Sequence, residues 1–373
     1  MTAFTEGLGS ILGPIMGFIV GLIPLVVIHE FGHLIVAKIM GVWVREFGIG
    51  YPPRAFKMFQ WAETEFTLNW IPFGGFARME GESVFAENQD ELDPDTVAHS
   101  LYTKKPWKRI LIYLGGPAAN VLTAWLIAIV IFMSGIPGIQ TSIGEVAPAS
   151  PAAEAALQAG DVFVAVNGEA VGASDELLDA IDAVKGQETT LTIDRDGEVF
   201  DVSLTPRANP PEGEGAMGVM IVQQNAPGDL TRYSVGDSIR YGTRYMTNMT
   251  LMTVQLPFYV IRMGIPFNEA RPVGVIGISQ IAEQSVAESV EAEAPYPYLN
   301  LLVMLSVSLG IFNLIPIPAL DGGRILFSLV EAIRGRALTP KLEERIHMIA
   351  FVAMLVLFVG ITLLDIFMPV PLP

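Results

Sequence analysis

Residues 11–40 read ILGPIMGFIVGLIPLVVIHEFGHLIVAKIM, an apolar run that carries a polar cluster, His29-Glu30-Phe31-Gly32-His33. The run exceeds the roughly 20 residues that a bilayer-spanning helix needs, so we predict a first transmembrane helix within residues 1–40. It has neither the basic start nor the small-residue cleavage site of a secretory signal peptide, and we expect it to stay in the protein. An ionisable residue within a span costs at least about 2.5–3.5 kcal/mol, so the cluster indicates a functional site.

Three further apolar stretches are long enough to cross a bilayer, and we predict transmembrane helices at 108–134, 298–333 and 346–368. Hydrophobic residues make up 51% of the 373 residues, and charged residues make up only 16%. An average soluble domain has roughly 25% charged residues. The predicted fold class is therefore a polytopic α-helical membrane protein with four transmembrane helices.

Net charge and cysteine content exclude several functions. The formal net charge of −17 disfavours a nucleic-acid partner. The chain has no cysteine, so it can form neither a disulfide nor a thiolate metal site. Any metal ion must be held by His, Asp or Glu.

Lysine and arginine near the spans predict the orientation in the membrane. Residues 1–37 and 346–373 contain neither, whereas the segments 41–107 and 334–345 are basic. We therefore expect both termini to be extracytoplasmic and the basic segments to lie in the cytoplasm. This arrangement also places residues 135–297 outside the cytoplasm.

The extracytoplasmic part begins with a predicted small α/β domain at residues 135–207. Residues 160–168 read GDVFVAVNG, a strand followed by an Asn-Gly hairpin turn, and Ser174–Ala183 is predicted as an amphipathic helix. This run resembles a PDZ domain of the bacterial, protease-associated type, which implies a peptide ligand bound by edge-strand addition. A spacer domain that binds nothing remains the alternative. Residues 208–297 are predicted as an extracytoplasmic, interfacial region with an amphipathic helix near 235–265.

The cytoplasmic segment 41–107 contains two aromatic, Gly-rich runs, FGIGYPP (47–53) and FTLNWIPFGG (66–75). Their alternation predicts strands, and both runs are too short and too broken for a spanning helix. Irregular backbone at membrane depth is tolerated where it lines a cavity or packs on protein. We therefore predict a re-entrant β element that dips toward the polar cluster, with an ordinary interfacial loop as the alternative.

His29 and His33 lie four residues apart, so both imidazoles face the same side of the first helix and can reach one metal ion. Glu30 follows the first histidine, as in the H-E-x-x-H pattern, and is predicted to be the general base. A catalytic zinc site needs a third protein ligand. Asp321, on a Pro-interrupted apolar segment before Gly322-Gly323, is one candidate, and His347 is another. Asp321 could instead cap the helix that follows it.

The two motifs together, HEFGH (29–33) and NLIPIPALDGG (313–323), resemble the site-2 protease family of intramembrane zinc metalloproteases, and most of all its bacterial regulator-of-sigma-E branch. The resemblance extends along nearly the whole chain. It includes PFGGFARMEGE (72–82), LGGPAAN (114–120) and PVGVIGIS (272–279). One feature departs from the best-known members of that branch, which carry two PDZ domains where this sequence has one recognisable copy.

The resemblance implies Zn²⁺ held by His29, His33 and Asp321, with Glu30 as general base and Asn313 near the bound substrate. It also implies a location in the bacterial inner membrane, with the active site toward the cytoplasm. The implied substrates are single-span membrane proteins within the lipid bilayer, such as anti-sigma factors or remnant signal peptides.

A helical substrate must unwind before its carbonyls can be attacked. We predict that the edge of the β element holds the unwound segment by β-addition, at Leu68 and Asn69 within residues 66–71. Two other functions stay open from the residues alone. A membrane metal-ion transporter could also place His and Asp in spans, and a proteolytically silent adaptor could bind peptides through the PDZ-like domain.

Overall fold

The computed structural model describes residues 2–81, 93–172, 174–211, 213–225, 230–264, 272–336 and 340–368. Residues 82–92, within the predicted cytoplasmic segment, lie outside this part of the chain. The chain divides into two compact units. The first, here called the helical unit, comprises residues 1–134 and 233–373, and the second, here called the sheet unit, comprises residues 135–232.

The elements follow one another along the chain in this order: α1 (Thr2–Ile39), β1 (Val44–Trp61), β2 (Thr64–Met79), α2 (Pro94–Ala98), a 3-10 turn (Leu101–Thr103), α3 (Pro106–Ser134), β3 (Ile139–Val146), α4 (Pro151–Glu154), β4 (Val162–Val166), β5 (Glu169–Ala170), α5 (Ser174–Ala183), β6 (Thr189–Arg195), β7 (Glu198–Leu204), β8 (Val219–Asn225), α6 (Val235–Met263), α7 (Val275–Glu291), α8 (Tyr296–Asn313), α9 (Asp321–Arg334) and α10 (Pro340–Phe367).

Four helices in the described residues are long and apolar enough to cross a membrane, which agrees with the four predicted spans. The spanning stretches are Gly21–Ile39 of α1, Pro106–Ser134, Tyr296–Asn313 and Arg345–Phe367 of α10. Many of their large apolar side chains are exposed on the protein surface. A bilayer accommodates such side chains, because its lipid tails are equally apolar. The chain is a multi-pass membrane protein.

The predicted third helix, 298–333, is in fact two helices. The first, α8, ends at Asn313, and α9 begins only at Asp321. Pro316 and Pro318 lie between them, and proline cannot continue the hydrogen-bond ladder of a helix. The chain then turns back so sharply that Gly322 packs directly on the preceding irregular segment. A Cβ on Gly322 would lie 2.3 Å from carbonyl oxygens of that segment. This break places Asp321 in the first turn of α9.

Helices α1 and α3 touch backbone to backbone. A Cβ added to Gly32 would lie 2.2 Å from the carbonyl oxygen of Gly115, and one added to Gly115 would lie 2.7 Å from that of Gly32. Neither position therefore accepts a side chain. Small residues of this kind let membrane helices approach closely, which here fixes the distance between α1 and α3 at the level of the polar cluster.

Strands β1 and β2 pair antiparallel and fold over each other so that β2 contacts β1 in two registers. Phe66 pairs with both Phe47 and Phe59, and Leu68 pairs with both Ile49 and Phe56. Residues 66–68 therefore lie inside the sheet, and the prediction of a free edge there is wrong. The Asn69 side chain is also buried in the sheet, where its Nδ2 donates to the carbonyl oxygen of Gly50 at 3.1 Å.

The outer segments of this sheet are residues 54–61 and residues 75–79. Among the described residues, 75–79 pair only with residues 44–49. Glu46 connects the two outer segments, since its buried carboxylate forms ion pairs with Arg54 at 2.8 Å and with Arg78 at 3.1 Å. The sequence pattern did not show which run would be outermost, because alternation predicts strands without their pairing.

The sheet unit is built around strands in the order β7-β6-β4-β3-β8, with β5 paired to β4. Its apolar core includes Phe163, Leu177 and Ile193, each at most 2% exposed. The unit extends to Arg232 rather than to the predicted boundary at residue 207. The reason is β8, which pairs with β3 along its whole length.

An ion pair between the buried Asp161 and the partly exposed Arg195 stabilises the sheet unit. Asp161 accepts hydrogen bonds from the Arg195 guanidinium at 2.6 and 2.7 Å and from the backbone N–H of Gln158 at 2.8 Å. Burial by itself raises the pKa of Asp161, but the Arg195 guanidinium outweighs that effect and holds the pKa below its usual range.

Two helices complete the helical unit. The predicted amphipathic helix near 235–265 is observed as α6, which packs against α3 with Gly242 close to the backbone of Ile129. Helix α7 is joined to α10, because the backbone N–H of Gly277 donates to the buried carboxylate of Asp365 at 3.0 Å. The depth at which these helices sit in a bilayer stays a prediction.

Candidate active site

The site forms where α1 meets the start of α9. Helix α1 places His29 and His33 on one face, and both rings are buried. Their Nε2 atoms lie 3.2 Å apart, and Oδ2 of Asp321 lies 3.1 Å from the first and 3.3 Å from the second. One ligand atom from each of the three side chains lies within 4.8 Å of the others.

The donor set fits a zinc ion. Two imidazoles and a carboxylate are ligands that zinc accepts, and three protein ligands with one open position are typical of a catalytic zinc. The space for an ion is kept by Gly116 of α3, where a Cβ would lie 2.4 Å from Nε2 of His33. In the part of the chain that the structure describes, no other His, Asp or Glu cluster of this kind is found.

A cavity of about 450 Å³ opens onto this cluster. It is lined by residues of α1, β1, the outer segment 75–79, α3, the end of α8, the α8–α9 connection and α9, namely His29, Glu30, His33, Tyr51, Gly75, Phe76, Ala77, Arg78, Met79, Tyr113, Asn313, Ala319, Leu320, Asp321 and Arg324. The cavity offers room for a segment of polypeptide beside the metal ligands.

Glu30 lies in this cavity beside the ligand cluster. Its Oε2 accepts a hydrogen bond from the backbone N–H of Ala77 at 3.2 Å. Ala77 belongs to the outer segment 75–79, so the carboxylate contacts that segment and lines the same cavity as the two histidines.

The second ring nitrogen of each histidine also has a partner. Nδ1 of His33 lies 2.8 Å from the carbonyl oxygen of Ile112, and Nδ1 of His29 lies 3.1 Å from Nδ2 of Asn120. Both partners belong to α3. Hydrogen bonds of this kind fix the orientation of a ligand ring, and they usually accompany metal-binding histidines.

The other predicted site residues are placed as follows. Asn313, at the end of α8, lines the cavity and donates from Nδ2 to the carbonyl oxygen of Leu309 at 2.9 Å. His347 belongs to a different environment, with its ring against Phe327 and its Nε2 3.9 Å from Glu343. The structure thus brings His29, His33 and Asp321 together as a group that could hold a metal ion, and His347 is not part of this group.

Three features of the site were not assigned from the sequence: the space at Gly116, the contact of Asn120 with His29, and the contact of Glu30 with Ala77. The segment LGGPAAN contains the residues of the first two features, and its asparagine could have been recognised from the sequence as a polar residue within an apolar span. A polar amide in an apolar span is costly unless a partner satisfies it, so a buried partner for Asn120 could have been expected.

Gly116→Ala is expected to lower the zinc content at least about 10-fold, because the new methyl group would displace the Nε2 atoms of both histidines. The matched control is Gly360→Ala in α10, where an added Cβ has no atom within 4 Å. Zinc per protein, measured by elemental analysis after purification, checks the prediction. Equal zinc contents in the two variants would contradict it.

A buried His-His-Asp donor set with a neighbouring Glu is typical of a metalloprotease, and both histidines lie on a helix that can cross a bilayer. The family comparison agrees. The model of Peptidase family M50, the site-2 protease family, matches residues 17–357, and the chain belongs to this family. It is a zinc metalloprotease of the site-2 type.

Named relatives support the same assignment. The chain is 28% identical over 430 residues to the zinc metalloprotease RasP of Geobacillus kaustophilus, an alignment that covers 95% of this chain and 98% of the relative. It is 26% identical over 430 residues to the regulator of sigma-W protease RasP of Bacillus subtilis, with coverage of 94% and 98%.

A solved structure, the PDZ domain of an SdrC-like protein of Listeria monocytogenes, matches with 24% identity and a TM-score of 0.20, covering 23% of this chain and 90% of that one.

Proposed function

We propose that this protease cuts peptide bonds within the transmembrane segments of single-span membrane proteins. Anti-sigma factors and remnant signal peptides are the substrate classes we expect. The observation that carries the proposal is the convergence of His29, His33 and Asp321 within 4.8 Å, inside a unit whose helices can span a bilayer. We also propose that it lies in the bacterial inner membrane, with both termini extracytoplasmic and the site toward the cytoplasm, and that the sheet unit binds a peptide.

Each site residue has a distinct role in this proposal. His29, His33 and Asp321 hold the zinc ion. When bound, zinc supplies a Lewis acid that polarises the scissile carbonyl and makes a water more acidic. Glu30 takes a proton from the attacking water at its carboxylate and delivers it to the leaving amine. The Ala77 N–H keeps that carboxylate aimed into the cavity.

The substrate has to present an extended backbone, because a helix hides its carbonyls in internal hydrogen bonds. We propose that the outer segment 75–79 receives this backbone by strand addition. It lines the cavity beside Glu30 and pairs on one side only among the described residues. This proposal replaces the predicted edge at Leu68 and Asn69. Asn313, on the other side of the cavity, can hold the substrate through its amide.

The test of the function is a cleavage assay. A purified single-span anti-sigma factor or signal peptide is incubated with the protease in detergent or vesicles, with and without a zinc chelator. We expect cleavage within the apolar segment, loss of cleavage with the chelator, and recovery after zinc is restored. Cleavage that persists in the metal-free protein would contradict the proposal.

A photo-crosslinker in place of Arg78 is expected to capture substrate several-fold more efficiently than one in place of Arg54. Both arginines form ion pairs with Glu46, so each replacement removes one such contact, and the replacement of Arg54 also removes its ion pair with Glu65 at 3.1 Å. They differ in position, because Arg78 lies on the segment 75–79 that lines the cavity and Arg54 on the opposite outer segment. Irradiation of Arg78→benzoylphenylalanine and Arg54→benzoylphenylalanine with labelled substrate, followed by gel analysis, makes the comparison. Stronger capture from position 54 would show that the substrate uses the other edge.

A further inference from the structure

Asn120 touches the metal centre without belonging to the ligand set. Its side chain is fully buried, with 0% exposure, and its Nδ2 lies 3.1 Å from Nδ1 of His29. The residue also contacts α8. The Ser306 hydroxyl donates to the backbone carbonyl oxygen of Asn120 at 2.8 Å. A Cβ added to Gly310 would lie 3.5 Å from the Cβ of Asn120. These contacts hold the backbone and Cβ of Asn120 against α8.

The neighbouring ring shows what a zinc ligand requires. Nδ1 of His33 faces the carbonyl oxygen of Ile112 at 2.8 Å. A carbonyl can only accept, so Nδ1 of His33 must carry the proton. The lone pair of this ring is then on Nε2, the atom that faces Asp321 and His29. The backbone of α3 thus fixes the metal-binding tautomer of His33.

His29 faces a group that can either donate or accept. With Nδ2 of Asn120 toward the ring, the amide donates to Nδ1, and the ring proton lies on Nε2, where it can be donated to Asp321 at 3.1 Å. That tautomer has no lone pair on Nε2 for a metal ion. Turning the amide by 180° about its last bond exchanges its oxygen and nitrogen without moving the chain. Oδ1 has no hydrogen-bond partner among the described residues, so the turn breaks no bond there.

We infer that Asn120 is a positioning residue for the metal: in the zinc-bound protein its Oδ1 accepts the Nδ1–H of His29 and so frees Nε2 of that ring as a ligand. This inference rests on the zinc site proposed above. The inferred orientation of the Asn120 amide is the reverse of the one in which Nδ2 faces the ring. An acceptor at position 120 is then the chemical requirement, and bulk or polarity alone does not satisfy it.

Zinc affinity tests the acceptor requirement. The purified full-length protein, Asn120→Asp and Asn120→Leu are titrated with Zn²⁺ against a chromophoric chelator. Loss of the partner of a ligand histidine typically lowers metal affinity 10–100-fold, so we expect that loss for Asn120→Leu. The carboxylate of Asn120→Asp still accepts, and we expect an affinity within a few-fold of the unaltered protein. Similar losses in both variants, or no loss in the Leu variant, would overturn the inference. An unaltered protein that binds no zinc would instead overturn the zinc site itself.

The histidine tautomer gives a second readout that needs no variant at position 120. The chain has four histidines, and replacing His99 and His347 with glutamine leaves the two ring systems of the site. Nitrogen-15 spectra of the zinc-loaded protein are expected to show both remaining rings protonated on Nδ1. The ring of His33 is the internal reference, since its partner is a backbone carbonyl. A His29 ring protonated on Nε2 and bound through Nδ1 would overturn the inference.

Discussion

Glu30→Gln is expected to lower turnover by about 10²–10⁴-fold while the protein keeps its zinc and its fold. The carboxylate lies beside the ligand cluster and accepts from the backbone of Ala77 at 3.2 Å, a contact that a glutamine amide oxygen can also make. The substitution therefore removes the proton acceptor with little change in shape. Since Glu30 is not in the ligand group, zinc content should not change.

The matched control for this experiment is Glu63→Gln. Glu63 forms an ion pair with Lys38 at 2.7 Å and does not line the cavity, so its replacement removes one carboxylate from the same region without touching the site. Initial cleavage rates and zinc per protein are measured for both variants. Wild-type turnover in Glu30→Gln would sink the assignment of the base. Loss of zinc in that variant would mean that the carboxylate serves the metal instead.

Asp321→Asn is expected to lower both zinc affinity and activity by more than about 100-fold. Loss of a group that only orients a ligand costs 10–100-fold in affinity, and loss of a ligand should cost more. The amide of asparagine has no charge to offset that of the ion. The aspartate lies 3.1 and 3.3 Å from the two histidines, so the structure leaves no other carboxylate at this position among the described residues.

His347→Ala is the informative companion, since His347 was the other third ligand that the sequence allowed. Its ring packs on Phe327, away from the ligand group, and its removal should leave zinc content unchanged. Zinc titration of the two variants side by side decides between the candidates. If His347→Ala lost zinc and Asp321→Asn kept it, His347 rather than Asp321 would be the third zinc ligand.

The convergence of His29, His33 and Asp321 could be predicted from the sequence because its signals are local or chemically costly. The spacing of His29 and His33 places both rings on one helical face, and an aspartate on a Pro-interrupted apolar segment needs a partner. The same argument, applied to a buried asparagine, would have drawn attention to Asn120. What it could not give is the partner's identity, because that depends on how α1 and α3 face each other.

The β element was less accessible, since pairing is a tertiary property. Alternation correctly indicated strands in 47–53 and 66–75, but the registers that surround Phe66 and Leu68 come from β1 folding over β2. The sheet unit shows the same limit at its far end. Val219–Asn225 lies well beyond the apparent end of the domain and joins its sheet through pairing with β3. Neither pairing can be predicted from the local pattern of apolar and polar residues.

The ligand set also has a consequence for the order of synthesis. His29 and Asp321, which contact each other at 3.1 Å, are 292 residues apart in the chain. A ribosome therefore completes the first helix, the whole sheet unit and most of the membrane helices before the last ligand is made. Any chain that is interrupted earlier carries two of the three ligand side chains at most. A nascent chain shorter than 321 residues therefore cannot hold the complete His-His-Asp group, and cleavage has to wait until these two distant segments have met.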